Sequence, residues 1–217
     1  MWAYATPLLQ GAEMTLAVSF CALLLGMCLS LVFTIGESAP WFMVRALFVV
    51  ITTFLRGLPE LLVLFMIYFG STILLTELMG HYVNVNAFMS GVLALGLIFA
   101  AYAAQTLRGA YQAIPKGQFE SALALGLSRA YILRRIMLPQ MWRFALPGLS
   151  NLWLVLLKDS ALVSLIGLAD IMDVAHTASA QTSKPFDFFC IAGLIYLVFT
   201  SVSQFAINGL QRRQIKG

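Results

Sequence analysis

The stretch LAVSFCALLLGMCLSLVFTI, Leu16 to Ile35, runs for twenty residues without one charged side chain. About 20 apolar residues in a helix cross the roughly 30 Å of hydrocarbon in a bilayer, and this requirement dominates every other constraint on the chain. Further apolar stretches follow, and together they predict five spans at about 16–35, 44–75, 88–107, 144–168 and 188–210. None shows the alternation of a membrane-spanning barrel strand. Only 10% of the 217 residues are charged, against about a quarter in a soluble domain. The expected fold is therefore an all-α integral membrane protein with five transmembrane helices. No polar linker divides it, so residues 1–217 read as a single domain.

Basic residues fix an expected topology, because Lys and Arg accumulate in cytoplasmic loops. The third connector carries Arg108, Lys116, Arg129, Arg134, Arg135 and Arg143 against Glu120 alone, and the tail adds Arg212, Arg213 and Lys216. Both are expected inside. The N-terminal stretch has Glu13, the second connector has Glu77, and the fourth has Asp170, Asp173 and Asp187 against Lys184, which places all three outside. The net charge of +4 thus reflects orientation in a membrane, and nucleic-acid binding is not implied. No Lys or Arg precedes Arg45, so the first apolar run lacks a signal peptide's basic leader and is expected to remain in the protein.

Chemistry is sparse. Cys21, Cys28 and Cys190 lie in apolar runs without metal-ligand spacing and read as small buried side chains, with neither disulfide nor metal expected. His81 and His176 stand in connectors. With no nucleophile, base or ligand cluster, the chain is not expected to be an enzyme, and without a GxxxxGK[ST] loop it is not expected to hold ATP.

The third connector, about 113–140, is too apolar for a solvated loop and too charged for a span. Pro115 and Gly117 turn into a short helix, and Gly126 is placed to end it in a left-handed conformation. Ser128 reads as the N-cap of a second helix with Ile132, Leu133, Ile136 and Met137 on its apolar face, stopped by Pro139. From the residues alone this hairpin either lies on anionic lipid or docks in a groove of a soluble partner and transmits movement.

Two charged clusters fall within apolar stretches, where ionisable groups are costly and usually face a cavity or a partner. In FLRGLPELLVLF, Phe54 to Phe65, Gly57 and Pro59 predict a break in an otherwise overlong span. Glu60 then either pairs with Arg56 or faces a cavity as counter-charge to a cationic substrate. Lys158 and Asp159 point about 100° apart on a helix and cannot satisfy one another. Asp159 is a second candidate counter-charge, or an interhelical contact.

The run Glu120, Ser121, Ala122, Gly126, Ile136, Leu138 and Pro139 resembles the EAA loop of permease subunits in bacterial type I ABC importers, with Ser121 in place of the usual second alanine. FLRGLPELLVLFMIYFG and AAYAAQTLRGAYQAIPKGQFESALALGLS are similar to the polar amino-acid uptake group of that family, and the likeness covers nearly the whole chain. The resemblance implies a permease subunit in the bacterial inner membrane, N-terminus periplasmic and C-terminus cytoplasmic, importing arginine or another cationic amino acid. It implies a second homologous permease, a periplasmic amino-acid-binding protein and two cytoplasmic ATPase subunits that carry the ATP and Mg. It further implies that Glu120, Ser121, Ala122, Gly126 and Leu127 form the coupling helix that meets the ATPase, and that an acid after Pro59 accompanies cationic substrates. An ion-driven carrier or channel, or a permease for histidine or neutral polar amino acids, is the alternative.

Overall fold

The computed structural model describes residues 4–215, and the side chains of residues 4–211. Lys216, with the side chains of Arg212 and Arg213, on which the charge of the tail rests, lies outside the described residues. Every regular element described is helical. Five helices are long and apolar enough to cross a membrane: Ala5–Glu37, Glu60–Met79, Ala87–Gln112, Arg129–Ile166 and Pro185–Gln211.

The first span is α1 (Ala5–Glu37), longer at both ends than its uncharged run. The second apolar stretch breaks where Pro59 removes a donor: α2 (Phe42–Gly57) ends, Leu58 and Pro59 are extended, and α3 (Glu60–Met79) begins afresh. At 16 residues, about 24 Å, α2 is short for a crossing. It folds back on α1, its Phe48 ring lying over Gly36 where a Cβ would overlap it.

Helix α4 (Ala87–Gln112) is the central post and the most buried span. It contacts α1 through Ala22, Gly26, Gly96, Phe99 and Ala100, and a Cβ on Gly26 would stand 2.9 Å from the Gly96 carbonyl oxygen. Lipid tails are as apolar as leucine, so such packing depends on close backbone approach and dispersion rather than on expulsion of water. Hydroxyls on the buried face of α1 return to their own helix: Thr15 Oγ1 donates to Gly11 O at 2.9 Å and Ser19 Oγ to Thr15 O at 2.7 Å.

After α5 (Lys116–Ala124), Gly126 has φ +78° and Ser128 Oγ accepts from Tyr131 N at 3.3 Å, so the turn and cap read from sequence both form. Pro139 does not stop the next helix. α6 (Arg129–Ile132) widens into a π-helical turn, Leu133–Met137, and continues as α7 (Leu138–Asp159) with Pro139 in the first turn, where a missing N–H costs little. The π turn also rotates the expected apolar face: Ile132 and Met137 are buried, whereas Leu133 is exposed. Asp159 ends α7, and a 3-10 turn, Ser160–Ile166, completes the crossing.

The fourth connector is more than a loop. It holds α8 (Ile171–Thr182), which contains His176, seated on α1 because Gly11 admits the Asp170 backbone: a Cβ there would lie 2.8 Å from Asp170 O. α9 (Pro185–Ile215) closes the chain with most of its surface uncovered. The three cysteines are exposed rather than buried, because they fall on faces of α1 and α9 that no other helix of this chain covers.

Candidate functional site

Two candidate substrate residues converge. Glu60, the first residue of α3, and Asp159, the last of α7, line one recess with Leu95, Ile98, Phe99, Tyr102, Leu152, Val155 and Leu156. The break at Pro59 places Glu60 at the helix start rather than mid-span. Glu60 thus stands at the N-terminal end of α3 and Asp159 at the C-terminal end of α7. The recess holds about 20 Å³, room for about one water, so by itself this chain does not enclose an amino acid.

The expected alternative partner of Glu60 is otherwise engaged. Arg56 donates through Nε to Thr52 O at 3.2 Å and through Nη1 to Gln105 Oε1, and its carbonyl accepts from Tyr102 OH at 3.3 Å. Among the described residues the sole ion pair within 4 Å joins Arg108 Nη1 to Glu37 Oε2 at 3.0 Å. Neither Glu60, Asp159 nor Lys158 is in one. The two acids of the recess therefore lack a direct ion-pair partner among the described residues, and the exposed Lys158 acts on Asp159 only at longer range.

Glu37 was not marked by the sequence. It is buried at the end of α1, where Thr52 Oγ1 donates to its Oε1 at 2.5 Å and Arg108 closes the other oxygen. Together with Arg56 and Gln105 it ties α1, α2 and α4 one turn before the third connector. A lone acid ending an apolar run is the one sequence signal it leaves; the partners lie 15 and 71 residues away.

In the third connector the five candidate residues take distinct places. Glu120 and Ser121 are exposed on α5, Ala122 is buried beneath them, Gly126 is exposed and Leu127 half-buried. Glu120 stands in the second turn of α5, beyond the first-turn reach of the helix's positive end. A core of Ile114, Ala122, Ile132 and Met137 holds α5 against α6 and the π turn. Leu125, not singled out by sequence, is 80% exposed at the tip beside Gly126.

Residues 36–216 match the family described as binding-protein-dependent transport system inner membrane component. The chain belongs to that family. This permease is 54% identical over 203 residues to the arginine ABC transporter permease protein ArtQ of Haemophilus influenzae, covering 94% of this chain and 91% of the relative. It is 38% identical to the histidine/lysine/arginine/ornithine transport system permease protein HisQ of Escherichia coli, covering 100% and 97%. Among solved structures, an amino acid ABC transporter crystallised with histidines matches with TM-score 0.88 at 31% identity, over 98% of this chain and 96% of that one. The permease is accordingly an inner-membrane translocation component rather than an enzyme.

Proposed function

We propose that this permease imports arginine or a closely related cationic amino acid, with Glu60 and Asp159 as counter-charges along the path. The observation that supports the reading is that two carboxylates from different helices share one recess and neither is in an ion pair within 4 Å among the described residues. A substrate guanidinium or ammonium supplies what both lack, and its charge-assisted hydrogen bonds strengthen in a low-dielectric passage. The small recess calls for a second homologous permease to complete the passage. The arginine, histidine, lysine and ornithine named for its relatives all carry or can acquire a side-chain cation, which fits the same electrostatics.

Energy enters from the other end. The permease lacks a phosphate-binding loop, so ATP and its Mg belong to two partner ATPases, and a periplasmic binding protein delivers the amino acid. In this reading the N-terminus is periplasmic, the C-terminus cytoplasmic, and α5 is the coupling helix that presents Glu120, Ser121 and the tip at Leu125 to the ATPase. Ala122 and Leu127 join that helix to its support, and Gly126 holds the turn in a backbone conformation open mainly to glycine.

Glu60→Gln in the reconstituted transporter, assayed with arginine and glutamine, tests the first half. Unaltered arginine uptake would refute the counter-charge role. For the second half, Gly126→Val is expected to lower uptake about tenfold or more while ATP hydrolysis continues, since a β-branched residue resists φ +78°. Full coupling in that variant would remove the tip from the mechanism.

A further inference from the structure

The π turn between α6 and α7 opens a recess of about 670 Å³ lined by Ala130, Tyr131, Arg134 and Arg135. Both arginines are exposed, and neither belongs to the one ion pair found among the described residues. Two guanidiniums outside any ion pair and a phenolic hydroxyl lining the same recess make a set of hydrogen-bond donors suited to a phosphate. The surroundings narrow the choice of phosphate. Leu133, Leu138, Trp142 and Phe144 are each 43–51% exposed, on the same continuous stretch as it runs into the crossing. An indole at the start of a crossing marks the level of the lipid headgroups.

We propose that Tyr131, Arg134 and Arg135 bind the phosphate of an anionic phospholipid whose acyl chains lie along Leu138 and Trp142. A free phosphate uses the donors alone and leaves the apolar flank bare, whereas a phospholipid uses both. The site is distinct from the exposed face of α5, yet Ile132 and Met137 beneath it share a core with Ala122 of that helix. Lipid binding thereby fixes the base from which α5 projects. That last consequence rests on the coupling role proposed above; the lipid site itself does not.

The test uses the full-length chain in detergent, titrated with phosphatidylglycerol and with phosphatidylcholine and read by native mass spectrometry, with no ATPase or transport required. Phosphatidylglycerol is expected to be retained at least tenfold better than phosphatidylcholine. The double variant Arg134→Gln/Arg135→Gln is expected to lose roughly thirty-fold in that affinity. Arg134→Lys/Arg135→Lys should keep most of it, and Arg143→Gln, outside the recess, should keep all of it. Equal retention of the two lipids, or an undiminished affinity in the glutamine pair, overturns the site. Loss in the lysine pair as complete as in the glutamine pair marks a folding defect and overturns a charge-based site. Inorganic phosphate that displaces the lipid beyond what chloride of equal ionic strength does shows a free-anion site, and overturns the lipid assignment.

Discussion

Two groups of charged residues lie on α4's flanks, and they are built in opposite ways. Around Glu37 every charge is answered: Thr52 and Arg108 take its two oxygens, and Arg56 is spent on Gln105 and the Thr52 carbonyl. Around Glu60 and Asp159 no ion pair forms among the described residues, and Lys158 stays beyond direct reach of Asp159. A satisfied network fixes geometry, whereas buried or half-buried acids left without a partner are a standing cost that structure alone does not justify. The contrast separates residues that hold the frame from the two proposed as counter-charges.

The comparison breaks most easily at the recess. Glu60→Gln is expected to lower arginine uptake by about 10- to 100-fold, the size of a lost hydrogen bond to a charged group, without lowering the melting temperature in detergent. A large drop in melting temperature with uptake intact would instead put Glu60 in the same class as Glu37. Asp159→Asn sharpens the point, because a carboxylate at a helix C-terminus opposes the dipole. That variant should transport poorly yet melt at the same or a higher temperature, and a clear destabilisation would contradict the assignment.

On the satisfied side the effects are smaller and fall on stability. Arg108→Ala leaves the Glu37 carboxylate, 8% exposed, with Thr52 alone and should cost about 1–3 kcal/mol. Glu37→Ala should cost less, since the Arg108 side chain, 41% exposed, turns to water. Denaturation of the two variants side by side measures the asymmetry, and a reversed order would mean that the pair is not held as the distances indicate.

The smallest effect tests the same rule on a third acid, outside the spans. Asp170 caps α8, accepting from Asp173 N at 2.9 Å, but is fully buried and its Oδ2 has no partner. Burial pushes its carboxyl up to about 7, against hydrogen bonds from the Asp173 and Met172 amides that pull it down and the Asp173 charge that adds to the rise. The folded protein then holds this proton more tightly than the unfolded chain. Its stabilising share is complete below about pH 4 and is lost as pH rises towards 7. A melting temperature that declines across that window, and a flatter profile in Asp170→Asn, is the expected result; identical profiles would exclude it.

Much of the frame was readable from local rules. Apolar run lengths mark the crossings, Pro59 marks the break, and Gly126 with Ser128 marks the turn and cap, because each acts within a few residues. The recess was half legible: embedded Glu60 and Asp159 each announced a partner or a cavity, but their convergence depends on tertiary packing across 99 residues of sequence. The network at Glu37 was silent for the same reason, and pairing of Arg56 with Glu60 stood as one alternative because helical spacing suggests i, i+4 pairs even where a proline breaks the helix. Pro139 misled because proline is tolerated in the first turn as readily as it ends a helix. The cysteines were misplaced because in a membrane an apolar run has an outward face as apolar as its inward one.

The close approach of Gly26 to Gly96 has a bearing on how the passage works. Backbones that near leave no room for a side chain between them, so α1 and α4 meet over a tight contact. Glu60 follows directly on a break, and Asp159 directly precedes a 3-10 turn. Each proposed counter-charge thus stands at a change in helix geometry, beside a post whose own packing against α1 is tight.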